Sequence, residues 1–240
     1  MDEIAVVTGA GGGIGRAVSR MIHEKSEGAL KLALCDINAS ALAELTASLP
    51  GSFACASDIR TEAGRKALLD AVLAKGTPSV LVNNAGIDKP HEPALNVLEG
   101  SFDALLDLNL KAPAFLMRLF GKEMIASGGG AIVNISSVLA KHALTGSAFY
   151  RVSKAGLEAL TKQFAAEFGP KGVRVNAVAP GFIMTPMTKD IPAETKEKIR
   201  SLIALGRFGE PEAVAEGVWH LIENQYVNGA VLPVDGGMVL

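Results

Sequence analysis

The sequence predicts a doubly wound α/β fold, in which helices cover both faces of one mostly parallel sheet. Short apolar segments alternate with longer helical patterns from one end of the chain to the other. Several short segments, such as Ile4–Val7 and Val80–Val82, are apolar without interruption, as expected of strands buried on both faces. With 240 residues, of which 49% are hydrophobic and 20% charged, the chain can form one globular core. We therefore expect a single domain over residues 1–240.

The strand-like segments predict a seven-stranded sheet. They are Ile4–Thr8, Lys31–Asp36, Ser52–Ser57, Ser79–Asn83, Ala131–Ser136, Val173–Ala179 and Ala230–Val234. The segments between them have apolar residues at helical spacing. The predicted helices are Ile14–Glu24, Ala39–Ser48, Glu62–Ala74, Phe102–Ala126, Phe149–Phe168, Ala193–Leu202 and Pro211–Glu223. The segment Gly181–Pro192 has no regular pattern, and we expect a lid around residues 181–205.

Charge and composition exclude several classes of function. Lys and Arg total 23 and Asp and Glu total 25, so the net charge of −2 argues against nucleic acid or a membrane surface as partner. No apolar run is long enough to cross a bilayer, and the acidic start Met1–Ile4 does not resemble a signal peptide. We expect a cytoplasmic protein in which Cys35 and Cys55 are buried thiols. No metal site is expected, because no cysteine or histidine has ligand spacing; the histidines are His23, His91, His142 and His220.

A glycine-rich loop, Thr8–Gly15, follows the first strand and opens the first helix. Such a loop allows close backbone approach and leaves the amide N–H groups of a helix N-terminus free for a pyrophosphate. Asp36 ends the second strand 21 residues after Gly15, where a carboxylate can bind the ribose hydroxyls of NAD. Each feature has a simpler explanation, since glycines also turn corners and Asp36 leads into a helix start at Asn38–Ser40. Their combination indicates a dinucleotide site.

A second group of residues has the chemistry of carbonyl reduction. Tyr150 and Lys154 are four residues apart in a helical pattern and share a helix face. Ser137 follows an apolar strand, at the edge where open α/β sheets bind ligands. Reduction of a ketone needs a proton donor, and an ammonium beside a phenol lowers the phenol pKa. From the residues alone, Tyr150 and Lys154 could also be a surface pair, and Ser136 could replace Ser137.

In their order along the chain, these motifs resemble those of the short-chain dehydrogenase/reductase family. The matching segments are Thr8–Gly15, Asp58–Ile59, Asn83–Gly86, Asn109, Ser136–Ser137, Tyr150–Lys154 and Pro180–Thr185. The resemblance covers essentially the whole chain and implies a Rossmann fold and an oxidoreductase that interconverts a ketone and a secondary alcohol. It implies catalytic roles for Ser137, Tyr150, Lys154 and Asn109, with Asn109 helping to hold a water. From the sequence alone, Asn109 could equally be a satisfied polar residue within a helix.

The resemblance also implies the contacts to a nicotinamide cofactor. Asp58 and Ile59 would flank the adenine, Lys154 would hold the nicotinamide ribose, and Thr185 would bind the carboxamide. The full set is Gly9, Gly12, Gly13, Ile14, Gly15, Asp36, Ile37, Asp58, Ile59, Asn84, Ala85, Gly86, Tyr150, Lys154, Pro180, Gly181, Ile183 and Thr185.

The cofactor expected is NAD(H) rather than NADP(H). The charge of Asp36 would repel a 2′-phosphate. NADP-preferring relatives often have a basic residue inside the glycine loop, where this chain has Gly12. Ile37 and Asn38, which follow Asp36, are also uncharged.

The substrate is less sharply defined by the resemblance. The pattern, including Val175–Phe182 and Gly236–Gly237, is most similar to the 3-oxoacyl-thioester reductases of the 3-oxoacyl-(acyl-carrier-protein) type. Members acting on small alcohols, hydroxybutyrate, polyols or steroids are alternatives, and a non-catalytic NAD(H)-binding protein is a remote one. The turn Ser127–Gly130 has no positive charge, which argues against docking of an acyl carrier protein. Lys141 and His142 are interpreted as solvated loop residues.

Exposed apolar residues predict self-association. The helix from Phe102 is apolar on more than one face, and the chain end Met238–Leu240 is apolar as well. In the family, helices of this kind pair across a two-fold axis, so we expect a homo-oligomer, most simply a tetramer. In the lid, Ile183, Met184 and Met187 would form an apolar inner surface.

Overall fold

The structure is a computed structural model that describes residues 2–88, 93–189 and 191–239. The strands are β1 Glu3–Thr8, β2 Leu30–Asp36, β3 Phe53–Ala56, β4 Thr77–Asn83, β5 Gly130–Ile135, β6 Val173–Pro180 and β7 Val231–Val234. They form one seven-stranded sheet in the order β3-β2-β1-β4-β5-β6-β7, and every neighbouring pair is parallel. The predicted doubly wound sheet is therefore confirmed, with strand ends within two residues of those expected.

Helices cover both faces of this sheet. They are α1 Gly13–Lys25, α2 Ala39–Ser48, α3 Glu62–Leu73, α4 Glu99–Leu106, α5 Ala112–Ala126, α6 Ala148–Phe168, α7 Pro186–Lys189, α8 Ala193–Ser201 and α9 Pro211–Glu223. Local chemistry sets several of their starts. The side chain of Asn38 accepts a hydrogen bond from the Ala41 amide at 3.1 Å, and that of Thr61 accepts one from Gly64 at 2.9 Å. Both are N-caps, and Pro211 supplies the residue favoured in a first helical turn.

The long helix predicted from Phe102 to Ala126 is interrupted. It begins earlier, at Glu99, and a π-helical segment, Asp107–Lys111, separates α4 from α5. The amide of Ala112 donates to the carbonyl of Asp107, five residues back, which is the hydrogen bond that defines a π turn. The predicted loop Gly181–Pro192 also differs, because it contains the short helix α7.

Two large hydrophobic clusters fill the space between the sheet and its helices. On one face, Val7 of β1 packs in a cluster with Val18 of α1 and Val218 of α9. On the other face, Val6 lies in a cluster with Leu68 of α3 and Phe120 of α5. All of these side chains are buried. Neighbouring residues of one strand thus face opposite layers, which is why the strands are apolar without alternation.

A third, smaller cluster lies apart from the sheet. Val138 follows β5, Ile199 and Ile203 lie in and after α8, and Phe208 and Met238 complete its buried part. Met238 is therefore covered by its own chain, and its apolar character does not require a partner subunit. The cluster ties the chain end to the segment around α8. Among the described residues, no helix is long and apolar enough to cross a membrane.

Candidate active site

The carboxyl ends of β1 and β4 lie side by side at the point where the strand order reverses, and the glycine loop occupies this position. Gly9 has a left-handed backbone with φ of +64°, and a Cβ there would lie 2.8 Å from the Cα of Ala85. A Cβ on Gly15 would overlap the carbonyl oxygen of Gly9. Only glycine fits either position. Ligands of open α/β sheets bind at such a reversal.

Side-chain hydrogen bonds of Thr8 and Asn84 join the glycine loop after β1 to the loop after β4. The amide nitrogen of the Asn84 side chain donates to the carbonyls of Thr8 and Gly9, at 2.9 and 3.0 Å. In return, the Thr8 hydroxyl accepts from the backbone amides of Asn84 and Ala85, at 3.1 and 3.2 Å. The glycine loop is therefore held in one position before any ligand arrives.

The N-terminus of α1 has the features of an anion site. Gly12 is its N-cap, no side chain caps it, and its first turn contains no acidic residue. A Cβ on Gly12 would meet only the Gly9 carbonyl, at 3.4 Å, so the position is open on its other sides. Free amide N–H groups and the positive end of the helix dipole suit a pyrophosphate. The loop therefore fits a dinucleotide.

Asp36 lies beside this loop. Its carboxylate accepts hydrogen bonds from the amides of Gly11, at 2.9 Å, and Asn38, at 3.0 Å. Asn38, rather than Asp36, caps the following helix, so the capping interpretation of Asp36 is not needed. Ile37 beside it is 70% exposed.

The next loop along the sheet carries an ion pair. Nη2 of Arg60 lies 2.7 Å from Oδ2 of Asp58, and this pairing holds the pKa of the Asp58 carboxyl below its usual value. Arg65 supports the loop from behind, because its buried guanidinium donates to the carbonyls of Ile59 and Arg60 at 2.8 and 2.7 Å. The same guanidinium lies 5.3 Å from the ring centroid of Phe115 on α5.

Three of the expected catalytic side chains meet at the carboxyl end of β5. The Ser137 hydroxyl lies near the Tyr150 hydroxyl and lowers the pKa of that phenol. The Lys154 ammonium lies 5.7 Å from the centroid of the Tyr150 ring and donates to the carbonyl of Ile135 at 2.8 Å. A Cβ on Gly86 would be 3.4 Å from the Lys154 nitrogen, so this loop also approaches the group closely.

Burial dominates the ionisation of this group. It raises the pKa of Tyr150 to about 12, and the Ser137 side chain opposes the rise. It also lowers the pKa of Lys154 to about 8, because a buried ammonium loses its hydration. The negative charge of Asp88 raises both values. In this structure, desolvation therefore outweighs the lowering of the Tyr150 pKa that was expected from the neighbouring ammonium.

The two neighbouring serines have different partners. The Ser136 hydroxyl donates to the buried carboxylate of Glu158 at 2.9 Å. The Ser137 hydroxyl accepts from the amide of Leu139 at 3.2 Å and lies near the Tyr150 hydroxyl. The geometry thus separates a serine beside the tyrosine from one whose hydroxyl is bonded to Glu158.

Asn109 lies in the π segment and is 1% exposed. Its side-chain oxygen accepts from the Ile87 amide at 2.9 Å, and its nitrogen donates to the Ile87 carbonyl at 2.7 Å and the Ser153 hydroxyl at 3.2 Å. Both amide hydrogens are used, which matches the interpretation of Asn109 as a satisfied polar residue.

All of the expected cofactor residues line one cleft of about 520 Å³, together with Ser137. This volume is typical of small-molecule sites. Asn109 does not line the cleft, nor do Lys141 and His142. Lys141 is exposed, and its carbonyl accepts a 3.4 Å hydrogen bond from Arg151. His91 lies outside the described residues.

Comparisons with known proteins agree with this geometry. A family model described as enoyl-(acyl carrier protein) reductase matches residues 9–239. The (3R)-3-hydroxyacyl-CoA dehydrogenase of Mus musculus is 38% identical, over 100% of this chain and 97% of the relative. The chain belongs to the short-chain dehydrogenase/reductase family.

Other relatives within this family are named for different activities. The 3-oxoacyl-(acyl-carrier-protein) reductase FabG of Thermotoga maritima is 36% identical over 99% of this chain and 98% of its own. The cis-4-hydroxycyclohexanecarboxylate dehydrogenase of Sinomonas cyclohexanicum is 35% identical over 98% of this chain and 96% of its own. As a short-chain dehydrogenase/reductase, the protein is an oxidoreductase that uses a nicotinamide cofactor, either NAD or NADP.

The cleft of this short-chain dehydrogenase/reductase also contains residues outside the expected set. They are Cys35, Ser57, Arg60, Ile87, Leu108, Ile135, Pro186 and Thr188, together with Ser136, the alternative to Ser137. Most are chain neighbours of predicted residues, so extending each motif by one or two positions would have found them. Glu158 and Arg65, which hold the site from behind, left no comparable signal. A buried charge on a helix looks like any other charge in the sequence.

Proposed function

We propose that this enzyme interconverts a 3-oxoacyl thioester and a 3-hydroxyacyl thioester with NAD(H). The observation that carries the reaction type is the grouping of Ser137, Tyr150 and the buried Lys154, at the end of a cleft that fits a dinucleotide. The thioester is supported by two relatives, one a (3R)-3-hydroxyacyl-CoA dehydrogenase and one a 3-oxoacyl-(acyl-carrier-protein) reductase.

Each side chain of the group has a defined part in this proposal. The bound nicotinamide supplies a hydride to the carbonyl carbon. Tyr150 donates its phenolic proton to the carbonyl oxygen, so that the ketone gains one hydride and one proton. Ser137 donates a hydrogen bond to the same oxygen and orients it. Lys154 stabilises the phenolate left on Tyr150, and its ammonium, with a pKa of about 8, can return a proton to that phenolate and take one from solvent in turn.

Asn109 acts in this proposal from behind the cleft. The resemblance gives Asn109 a water that passes protons from Lys154 to solvent. In the structure, its side-chain amide is hydrogen-bonded to the backbone N–H and carbonyl of Ile87 and donates to the Ser153 hydroxyl. Ser153 in turn donates to the carbonyl of Tyr150 at 2.7 Å. We therefore assign Asn109 the positioning of the loop beside Lys154 and of the first turn of α6.

The preference for NAD(H) rests on charge at the adenosine ribose. Asp36 is held by Gly11 and Asn38 with its carboxylate at the edge of the cleft. A carboxylate accepts hydrogen bonds from a ribose diol and repels a 2′-phosphate. The test is the ratio of kcat/KM with NADH to that with NADPH. A clear excess for NADH is expected, and equal or better use of NADPH would refute the preference.

A cyclic or small secondary alcohol is the second candidate substrate, because one relative is a cis-4-hydroxycyclohexanecarboxylate dehydrogenase. Initial rates with acetoacetyl-CoA, cyclic ketones and polyols, measured as NADH consumption, separate the two. A clear preference for acetoacetyl-CoA is expected. A preference for the ring compound would move the assignment to the second candidate. Tight NADH binding without any turnover would indicate a non-catalytic binding protein.

Docking of an acyl carrier protein is not part of the proposal. The turn before β5 contains Gly128 and Gly129 rather than basic residues. Arg174 is committed to the carbonyls of Leu221 and Ile222, at 2.7 and 2.6 Å. We therefore favour a coenzyme A thioester. The same substrate on an acyl carrier protein should be used with a lower kcat/KM than on coenzyme A.

The segment of residues 181–205 is proposed as a lid. It contains α7 and α8; Ile183 at its start packs in the cluster beside the sheet, and Ile199 and Ile203 near its end pack in the separate cluster with Phe208. Its start is anchored, since the Gly181 amide donates to Val234 at 2.9 Å and a Cβ on Gly181 would lie 2.8 Å from the Cα of Asp235. Backbone hydrogen bonds to Gly209 also hold Phe182 and Met184, so movement is expected beyond Met184. Amide exchange there should be fast in the free enzyme and slow with NADH, and unchanged exchange would refute the lid.

The oligomer proposed is a homotetramer of cytoplasmic subunits. Leu98 before α4, Phe115 on α5 and Val152 on α6 are exposed to 74%, 40% and 53%. Large apolar side chains exposed in this way are typical of a subunit interface. Cys35 and Cys55 are both buried and unpaired, as in a reducing compartment. Light scattering at micromolar concentration should give a mass well above the 24.9 kDa of one chain, and a monomer would overturn the proposal.

A further inference from the structure

Besides the ion pair of Asp58 and Arg60, a second ion pair lies close to Asp36, the residue that is proposed to hold the adenosine ribose. Arg16, in the first turn of α1, reaches across to α2, where its Nη1 and Nη2 donate to the two carboxylate oxygens of Glu44 at 3.0 and 3.1 Å. Its side chain is 24% exposed, and that of Glu44 is 73% exposed. The pairing also lowers the pKa of the Glu44 carboxyl, so Glu44 is ionised at neutral pH.

Gly11 connects this pair to Asp36. The carbonyl oxygen of Gly11 accepts a hydrogen bond from Nε of Arg16 at 3.0 Å, while its amide donates to Oδ2 of Asp36 at 2.9 Å. Arg16 also lies 3.5 Å from the carbonyl of Ala41, whose Cβ is close to Gly11. A guanidinium and a carboxylate are therefore bound to the two sides of a single residue of the glycine loop.

We propose that Glu44 is a second determinant of cofactor choice, because it neutralises Arg16, the guanidinium bound to the same glycine-loop residue as Asp36. A 2′-phosphate at the adenosine ribose would face two carboxylates and one guanidinium. Without Glu44 it would face one of each, and Arg16 could turn toward the phosphate. This inference rests on the proposed position of the ribose and on the proposed preference for NAD(H).

The expected effect is modest, because Glu44 is exposed and solvent screens its charge. Glu44→Gln should raise kcat/KM for NADPH about two- to fivefold and leave that for NADH within about 1.5-fold. The gain should shrink as salt rises toward 1 M, where charges are screened within a few ångströms. In combination with Asp36→Asn, the gain for NADPH should exceed that of Asp36→Asn alone by a similar factor.

A binding measurement tests the same point without turnover. Adenosine 2′,5′-bisphosphate and adenosine 5′-monophosphate differ only in the 2′-phosphate, and calorimetry on the full chain gives their dissociation constants. Glu44→Gln should tighten binding of the bisphosphate and leave the monophosphate unchanged. Glu24→Gln, an exposed residue at the far end of α1, is the matched control for removal of one negative charge. It should change neither constant.

The double variant Arg16→Gln/Glu44→Gln shows whether Arg16 is the group released. It should lose the gain of Glu44→Gln, and a melting temperature near that of the wild type confirms that the loop is intact. The inference is overturned if Glu44→Gln leaves the bisphosphate-to-monophosphate ratio unchanged, if Glu24→Gln gives the same gain, or if the gain persists without Arg16. A wild-type enzyme that uses NADPH as well as NADH would refute the proposed preference, whereas the role of Glu44 is judged by the change between variants.

Discussion

The two ends of the cleft differ in the groups that form them, which are backbone groups at one end and side chains at the other. At the dinucleotide end, the backbone makes the site, and Gly9 and Gly15 have no room for a side chain. At the reacting end, side chains make the site, and Ser137 and Tyr150 come from a strand end and a helix. The first end is locked into the sheet by Asn84 and Thr8, whereas the second borders a small cluster apart from the sheet. Changes at the first end should affect folding and cofactor affinity, and changes at the second should affect turnover.

The largest expected effect is at the reacting end. Tyr150→Phe removes the proton donor and keeps the ring, so kcat should fall by about 10²–10⁴-fold. The dissociation constant of NADH should stay within about twofold, because the dinucleotide end is untouched. Stopped-flow turnover and fluorescence titration measure the two quantities. Retention of more than about a tenth of wild-type kcat would show that Tyr150 is not the donor.

The two serines allow a matched test of the same end. Ser137→Ala removes a hydrogen bond to the reacting oxygen and should lower kcat by about 10²-fold. Ser136→Ala removes the donor to buried Glu158, so it should lower the free energy of unfolding by about 1–3 kcal/mol and change kcat less than about threefold. Steady-state kinetics and urea unfolding on both variants check this. Reversed results would assign the reacting role to Ser136.

Two glycines test the dinucleotide end. Gly12→Ala places a methyl group in open space at the N-terminus of α1, so stability should hold while NADH affinity falls about tenfold or more, because the pyrophosphate must approach the backbone closely. Gly15→Ala forces a Cβ against the Gly9 carbonyl and should cost about 1–3 kcal/mol or more of stability. Calorimetric titration and thermal unfolding distinguish the outcomes. Equal behaviour of the two variants would contradict the described cradle.

The smallest effect concerns Lys154 and pH. Its pKa is about 8 in the folded, cofactor-free enzyme and 10.5 as an unperturbed group. Between these values the unfolded chain binds more protons than the folded one, so stability should rise with pH across this window. Below pH 8 the buried charge destabilises the fold fully, and Lys154→Met should be more stable by on the order of 2 kcal/mol after loss of one hydrogen bond.

This advantage of Lys154→Met should shrink as pH rises from about 8 toward 10.5. Urea unfolding at several pH values in that window, without cofactor, measures it. A constant difference between the variant and the wild type would show that burial does not shift this group. NADH affinity and kcat should both fall in the same variant, because Lys154 is assigned to both ends of the cleft.

Much of the fold could be predicted because its signals are local. Buried parallel strands are short, apolar and evenly separated by helical patterns, so each of the seven was recognisable. The glycine loop, Asp36 and the pair of Tyr150 and Lys154 were recognisable because their spacing along the chain is fixed by the elements that carry them. The resemblance favoured Ser137 over Ser136, whereas the hydrogen bond of Ser136 to Glu158, on a different element, needed coordinates.

Other features could not be predicted because they depend on contacts distant in the sequence. The π segment has the apolar spacing of an ordinary helix, and the side-chain contacts of Asn109 are with Ile87 and Ser153. The apolar chain end at Met238 suggested contact with a partner subunit, but Met238 packs in a cluster with α8 and Phe208 of its own chain. The Tyr150 pKa was expected to be governed by the lysine charge, whereas burial has the larger effect.

The π segment between α4 and α5 can be regarded as a one-residue insertion that the helix has absorbed. A π turn is less stable than an α turn, and such turns are frequently found at functional sites. Here the extra residue directs Asn109 inward without disturbing the faces of the helix on either side. A chain shortened by one residue within Asp107–Lys111 would form a more regular helix that can no longer hold the loop at Ile87. The irregular helix therefore gives up local stability to keep one amide group in its position.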